Sequence, residues 1–122
     1  MDARVVDTSV VAALVFGEPG SEEAESLLGD RELFAPFLMR YELAQVAVKK
    51  ASKHREKERL ILDALTLAYS LDIQWVEVDF EAVAGLALER SLTAYDACYL
   101  FVSKSLGIPL VTFDKRLKRS SG

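Results

Sequence analysis

Residues 4–17 read Arg4-Val5-Val6-Asp7-Thr8-Ser9-Val10-Val11-Ala12-Ala13-Leu14-Val15-Phe16-Gly17. The first three form a short β-rich run that ends at an acid. Thr8 to Phe16 then reads as a helix, stopped by Gly17-Glu18-Pro19-Gly20. A strand running straight into a helix opens an α/β unit, and the pattern recurs along the chain. Ser21 to Leu28 reads as a second helix with acids in its first turn, as the helix dipole favours, and Gly29-Asp30 ends it. Leu33 to Ala35 is a second short strand. Pro36 is expected to open a helix reaching about Ala51, since proline suits a first turn. Lys53 to Leu71 reads as one further helix and Ile73 to Val78 as a third strand. Phe80 to Arg90 and Thr93 to Leu106 are helical, the latter closed by Gly107. Pro109 to Thr112 is apolar like a buried strand. A turn begins at Asp114, a basic tail follows, and residues 119–122 are expected to fray. Alternating strands and helices imply a mostly parallel sheet, with right-handed crossovers.

Composition narrows the possibilities. A chain of 122 residues, 51% of them hydrophobic, is one domain, residues 1–122, with enough sequence to bury a core without staples. Cys98 is the sole cysteine, which excludes a disulfide framework, and Cys98 with His54 cannot make a zinc site. The longest apolar run, Val10 to Phe16, is too short to span a membrane, and no signal peptide is visible. The expectation is a cytoplasmic protein. The absence of asparagine and the presence of only Gln45 and Gln74 mildly suggest a thermophilic source. The net charge of −4 is uneven: residues 40–59 carry +4, and Lys115, Arg116, Lys118 and Arg119 add another +4, against −12 elsewhere. Two basic patches leave nucleic acid open as a partner, beside the plainer reading of solvated helix surface.

Four acids stand out. In parallel sheets ligands gather beyond the carboxyl ends of strands, where Asp7 and Asp114 follow strands one and four. Glu42 and Asp96 interrupt otherwise apolar helices. Each has a structural alternative. Asp7 and Asp114 could cap the helical turns after them, and Asp96 lies three residues after Thr93, the spacing of a capping box. Glu42 has the weakest excuse, since Leu38, Met39, Gln45 and Val46 three and four residues away are all uncharged. Several carboxylates buried together need a compensating cation. A hard divalent ion such as Mg²⁺ or Mn²⁺ suits oxygen ligands and can activate water beside a phosphoryl group. Phosphate-binding glycine loops, dinucleotide fingerprints and nucleophile elbows are all missing. His54, among lysines and arginines, reads as a surface residue.

Four segments carry a resemblance: Val5-Val6-Asp7-Thr8-Ser9, Arg40-Tyr41-Glu42-Leu43-Ala44, Leu92-Thr93-Ala94-Tyr95-Asp96-Ala97 and Leu110-Val111-Thr112-Phe113-Asp114. In order and spacing they resemble PIN-domain proteins over nearly the whole chain, and the short length is similar to VapC-type toxins. The resemblance implies a three-layer α/β/α sandwich with a four- or five-stranded sheet. It implies a metal-dependent ribonuclease with Asp7, Glu42, Asp96 and Asp114 in an acidic pocket, and with Thr8, Ser9 and Thr112 as supporting hydroxyls. It also implies a homodimer and a VapB-type antitoxin that inserts a segment at the site. The sequence departs from the pattern after Asp114, where a final edge strand is expected to be short or absent.

The expected chemistry is hydrolysis of RNA, with Asp7, Asp96 and Asp114 as direct ligands of one or two Mg²⁺ or Mn²⁺ ions. Glu42 would bind a second ion or orient water. Lys49, Lys50, Lys53, Arg116 and Lys118 are candidates for backbone contacts. Two competitors are weighed against this. A phosphoacceptor receiver domain would need paired acids after the first strand, but Thr8 and Ser9 follow Asp7. A catalytically silent PIN-like scaffold, binding RNA or protein, would keep the fold without the metal.

Overall fold

In the computed structural model, residues 2–121 are described. The strand at the centre of the opening stretch, β1 (Ala3–Val6), buries Val5 and Val6 completely. It pairs in parallel with β2 (Glu32–Pro36), placing Arg4 opposite Leu33, and with β4 (Leu110–Val111), placing Val6 opposite Val111. β3 (Ile73–Val76) lies outside β2, with Leu33 opposite Ile73. The sheet order is β3-β2-β1-β4, and every pairing is parallel.

That order decides which face each helix covers. Moving from β1 through β2 to β3 with right-handed crossovers puts α1 (Thr8–Val15), α2 (Ser21–Leu28), α3 (Leu38–Lys53) and α4 (Glu58–Tyr69) on one face. The return to β4 puts α5 (Phe80–Arg90) and α6 (Ala94–Leu106) on the other. α6 packs on β1, β2 and β4, while α1 packs on α2, α3 and α4. The main core lies between these layers, around Val5, Val10, Met39, Leu43 and Tyr99. The result is the α/β/α sandwich, with four strands. α6 leads into the start of β4, so its own start lies at the carboxyl end of the sheet, where β1 also ends.

Five boundaries differ from expectation. Pro36 does not open a helix: it is the last residue of β2, opposite Val76. The β1 pairing stops at Phe34, so the N–H that proline lacks is not needed there. The expected single helix over 53–71 is broken at His54, whose φ of −134° and ψ of 67° end α3. A 3-10 turn, Arg55–Lys57, then turns the chain so that α4 can return along α3. β3 ends at Val76 rather than Val78, and β4 is only two residues long. Finally, the tail is helical rather than frayed as far as Ser121. α7 (Lys115–Ser121) is anchored by fully buried Leu117 and by Arg90 Nη1 donating to the Ser120 carbonyl at 2.6 Å. Gly122 lies outside the described residues, and no strand follows Asp114 among those described.

Candidate active site

Asp7 leaves β1 still pinned to β4, its N–H donating to the Val111 carbonyl at 3.2 Å. Its extended backbone makes it the N-cap of α1, and Oδ1 accepts from the Ser9 N–H at 3.1 Å and Ser9 Oγ at 2.6 Å. Oδ2 accepts from Thr112 Oγ1 at 2.5 Å. The two hydroxyls also lock the opposite loop, since Ser9 Oγ accepts from the Phe113 N–H at 3.0 Å and Thr112 Oγ1 from the Asp114 N–H at 2.9 Å. The capping alternative for Asp7 is therefore real, yet incomplete as an explanation. Asp7 is only 6% exposed, and no cation pairs with it among the described residues. Burial pushes its carboxyl above the ordinary value despite the hydrogen bonds from Ser9 and Thr112.

Glu42 projects from the second turn of α3 into a different set of donors. Tyr99 OH, from α6, donates to Oε1 at 2.5 Å, and Thr8 Oγ1 donates to the same oxygen at 2.9 Å. The two hydroxyl oxygens are themselves 2.7 Å apart. Burial and the Glu42 carboxylate push the Tyr99 phenol far above its ordinary value, so it keeps its proton and stays a donor. Tyr99 was not among the sequence candidates. The available signal was its position three residues beyond Asp96, which puts both on one side of α6. The three candidate hydroxyls thus divide, with Ser9 and Thr112 serving Asp7 and Thr8 serving Glu42.

Asp96 sits in the first turn of α6 and forms only half of the expected capping box. Its N–H donates to Thr93 Oγ1 at 3.0 Å. Its carboxyl is pushed up by partial burial and by the charge of Asp114, with the Thr93 hydroxyl and Arg116 pulling the other way. Asp114 does cap α7, accepting from the Leu117 N–H at 3.0 Å, while remaining exposed.

The fold brings all four acids to the carboxyl ends of the strands. It links Asp7 to Asp114 through Thr112, Asp114 to Asp96 through charge, and Glu42 to the start of α1 through Thr8. Among the described residues no three of them close into a metal-holding group. The donor chemistry nevertheless fits a hard divalent ion, being all oxygen, with one buried carboxylate lacking a countercharge.

The basic candidates separate. Arg116 acts on Asp96 and Lys118 lies exposed on α7, whereas Lys49, Lys50 and Lys53 lie at the far end of α3. His54 is exposed, as expected. No helix among the described residues is long and apolar enough to cross a membrane.

The family model for the PIN domain matches residues 4–122. The chain belongs to the PIN-domain family. Among its relatives, Ribonuclease VapC3 of Pyrobaculum aerophilum is 33% identical over 119 residues, which is 93% of this chain and 90% of the relative. Ribonuclease VapC1 of Mycobacterium tuberculosis is 30% identical over 126 residues, covering 100% of this chain and 93% of the relative. The crystal structure of PAE2754 from Pyrobaculum aerophilum superposes with a TM-score of 0.79 at 27% identity, covering 98% of this chain and 85% of that one. Within the PIN-domain family, the chain is therefore similar to VapC proteins along almost its full length.

Proposed function

We propose that the protein is the toxin endoribonuclease of a VapBC-type pair, hydrolysing RNA phosphodiester bonds with Mg²⁺ or Mn²⁺. The observation that carries this is Asp7. Its carboxylate is buried at a strand end, oriented by two hydroxyls and an N–H, and among the described residues has no cation of its own. Such a group costs several kcal/mol to keep charged unless a cation joins it. The scaffold alternative is not favoured, because all four acids are present and the relatives are ribonucleases.

Asp7, Asp96 and Asp114 would be the direct ligands. A bound divalent ion supplies charge neutralisation at the phosphate and makes a water easier to deprotonate. The chain's own groups do the positioning. Ser9 and Thr112 fix the Asp7 carboxylate. Tyr99 and Thr8 occupy Glu42 Oε1, which leaves Oε2 free to orient the attacking water or to serve a second ion. Arg116, Lys118, Lys49 and Lys53 attract the backbone, whereas the Lys50 proposed for this from sequence is paired with Glu18. In-line attack would leave 5′-phosphate and 3′-hydroxyl ends.

A VapB-type antitoxin and a homodimer belong to the same proposal, as does action in the cytoplasm. Supporting self-association, the single chain exposes large apolar side chains, Phe80 at 81% and Leu88 at 85%. The test is cleavage of a random-sequence RNA pool in Mn²⁺ and in chelator. Cleavage in Mn²⁺ that disappears in chelator and in Asp7→Asn is expected. Equal cleavage by Asp7→Asn would overturn the assignment.

A further inference from the structure

At the far end of α1 and α3 from the acids, a cleft of about 590 Å³ opens between these helices and α4. It is lined by Lys49, Lys50, Lys53 and Lys57, together with His54, and among the described residues no carboxylate lines it. Val15, Leu60 and Ile61 give it an apolar part, with Ile61 buried and Leu60 exposed. Lys50 is already committed, with Nζ 2.6 Å from Glu18 Oε2 and over the Phe16 ring. Lys49, Lys53 and Lys57 have no carboxylate within 4.0 Å among the described residues. Their neighbours Arg55 and Arg59 are paired, with Glu58 and Asp63. In a chain of net charge −4, three unpaired lysines around one partly apolar cleft are a concentrated anion-attracting feature.

The placement of the cleft is the second observation. Lys49 and Lys53 follow Glu42 by seven and eleven residues on the same helix. At 3.6 residues per turn that puts all three within about 20° of one stripe, and the lysines about 10 and 16 Å along the axis from Glu42. α1 starts at the acids and contacts α3, so Thr8 touches Glu42 while Val15 lines the cleft. Both helices therefore run from the acids to the lysines.

We infer that this cleft is a second anchoring point for single-stranded RNA, distinct from the acids. It would hold backbone phosphates on Lys49, Lys53 and Lys57, with a ribose or base over Leu60 and Ile61, a few nucleotides from the bond being cleaved. This rests on the ribonuclease reading and adds a requirement to it: a productive strand must be long enough to span both places. An acidic protein segment matches the lysines equally but has no reason to continue to a phosphate site, which is why the stripe favours RNA.

The test uses the full chain and random-sequence 2′-O-methyl oligoribonucleotides of three and twelve nucleotides, with binding read by fluorescence anisotropy across a salt series. The variant carries Lys49→Gln, Lys53→Gln and Lys57→Gln, with circular dichroism checking that it folds. The twelve-mer should lose about tenfold in affinity and about two units of log–log salt slope, with the three-mer changing less than about twofold. A variant that binds the twelve-mer like wild type, with the same slope, overturns the anchor. So does a variant that loses only its binding to a poly-glutamate peptide, which would make the cleft a protein site. A wild type that cleaves no RNA in Mn²⁺ yet shows the lysine-dependent twelve-mer binding overturns the nuclease reading while supporting the anchor.

Discussion

Asp96 and Asp114 illustrate how the site trades stability for chemistry at the level of single residues. Partial burial raises the cost of charging Asp96, and the charge of Asp114 adds to it. Asp96→Asn should therefore leave the melting temperature in chelator unchanged or higher at pH 7, while abolishing cleavage. A large drop in chelator would assign Asp96 a capping role instead. The pH dependence has a definite sign. The folded-state value of Asp96 is raised, so its protonated form is favoured by folding. The penalty is absent below the ordinary value of 3.8, where the group is protonated in both states. It grows as pH rises through the raised folded value. Any stability advantage of Asp96→Asn should thus be present at pH 7 and vanish near pH 3.5, which thermal melts at the two pH values would show. Tyr99→Phe should act oppositely. Losing a hydrogen bond to a charged partner should cost about 1.5 kcal/mol, measurable by urea unfolding, and lower cleavage by freeing Glu42. All four acids could be picked out from sequence by their places at strand ends or inside apolar helices, although capping offered Asp7, Asp96 and Asp114 a local excuse and only Glu42 lacked one. Tyr99 could not, since its role depends on α6 crossing to the start of α3, a long-range fact.

At the scale of elements, what could be read was what local chemistry controls. The strand-to-helix turn at Asp7, the start of α5, and the end of α6 at Gly107 all fall where capping chemistry puts them. Gly107 has φ of 68° with open space where a Cβ would stand. Gly107→Ala should therefore cost about 1–2 kcal/mol from the backbone alone, with no clash contribution, and equilibrium unfolding would measure it. The misread boundaries share a tertiary cause. Pro36 ends a strand because its neighbour β1 has stopped pairing. The helix expected over 53–71 breaks because α4 must pack back along α3. The tail is helical because Leu117 reaches the core; Leu117→Ala should cost about 2–5 kcal/mol and loosen α7 along with Asp114, lowering thermal stability and cleavage together.

For the molecule as a whole, the uneven charge follows the architecture. An acidic protein keeps lysines at the far end of α3 and four acids at the strand ends, so phosphate attraction and cation attraction occupy different places. RNA binding should accordingly weaken steeply with salt, whereas cation uptake should depend on the acids alone. Whether these acids form a cation site is tested most directly by isothermal titration of Mn²⁺ and Mg²⁺ into the purified chain and into the Asp7→Asn, Asp96→Asn double variant. Uptake by the wild type that is lost in the folded double variant is the predicted result. Equal uptake by both, or none by either, would contradict it and return Asp7 and Asp114 to the role of helix caps.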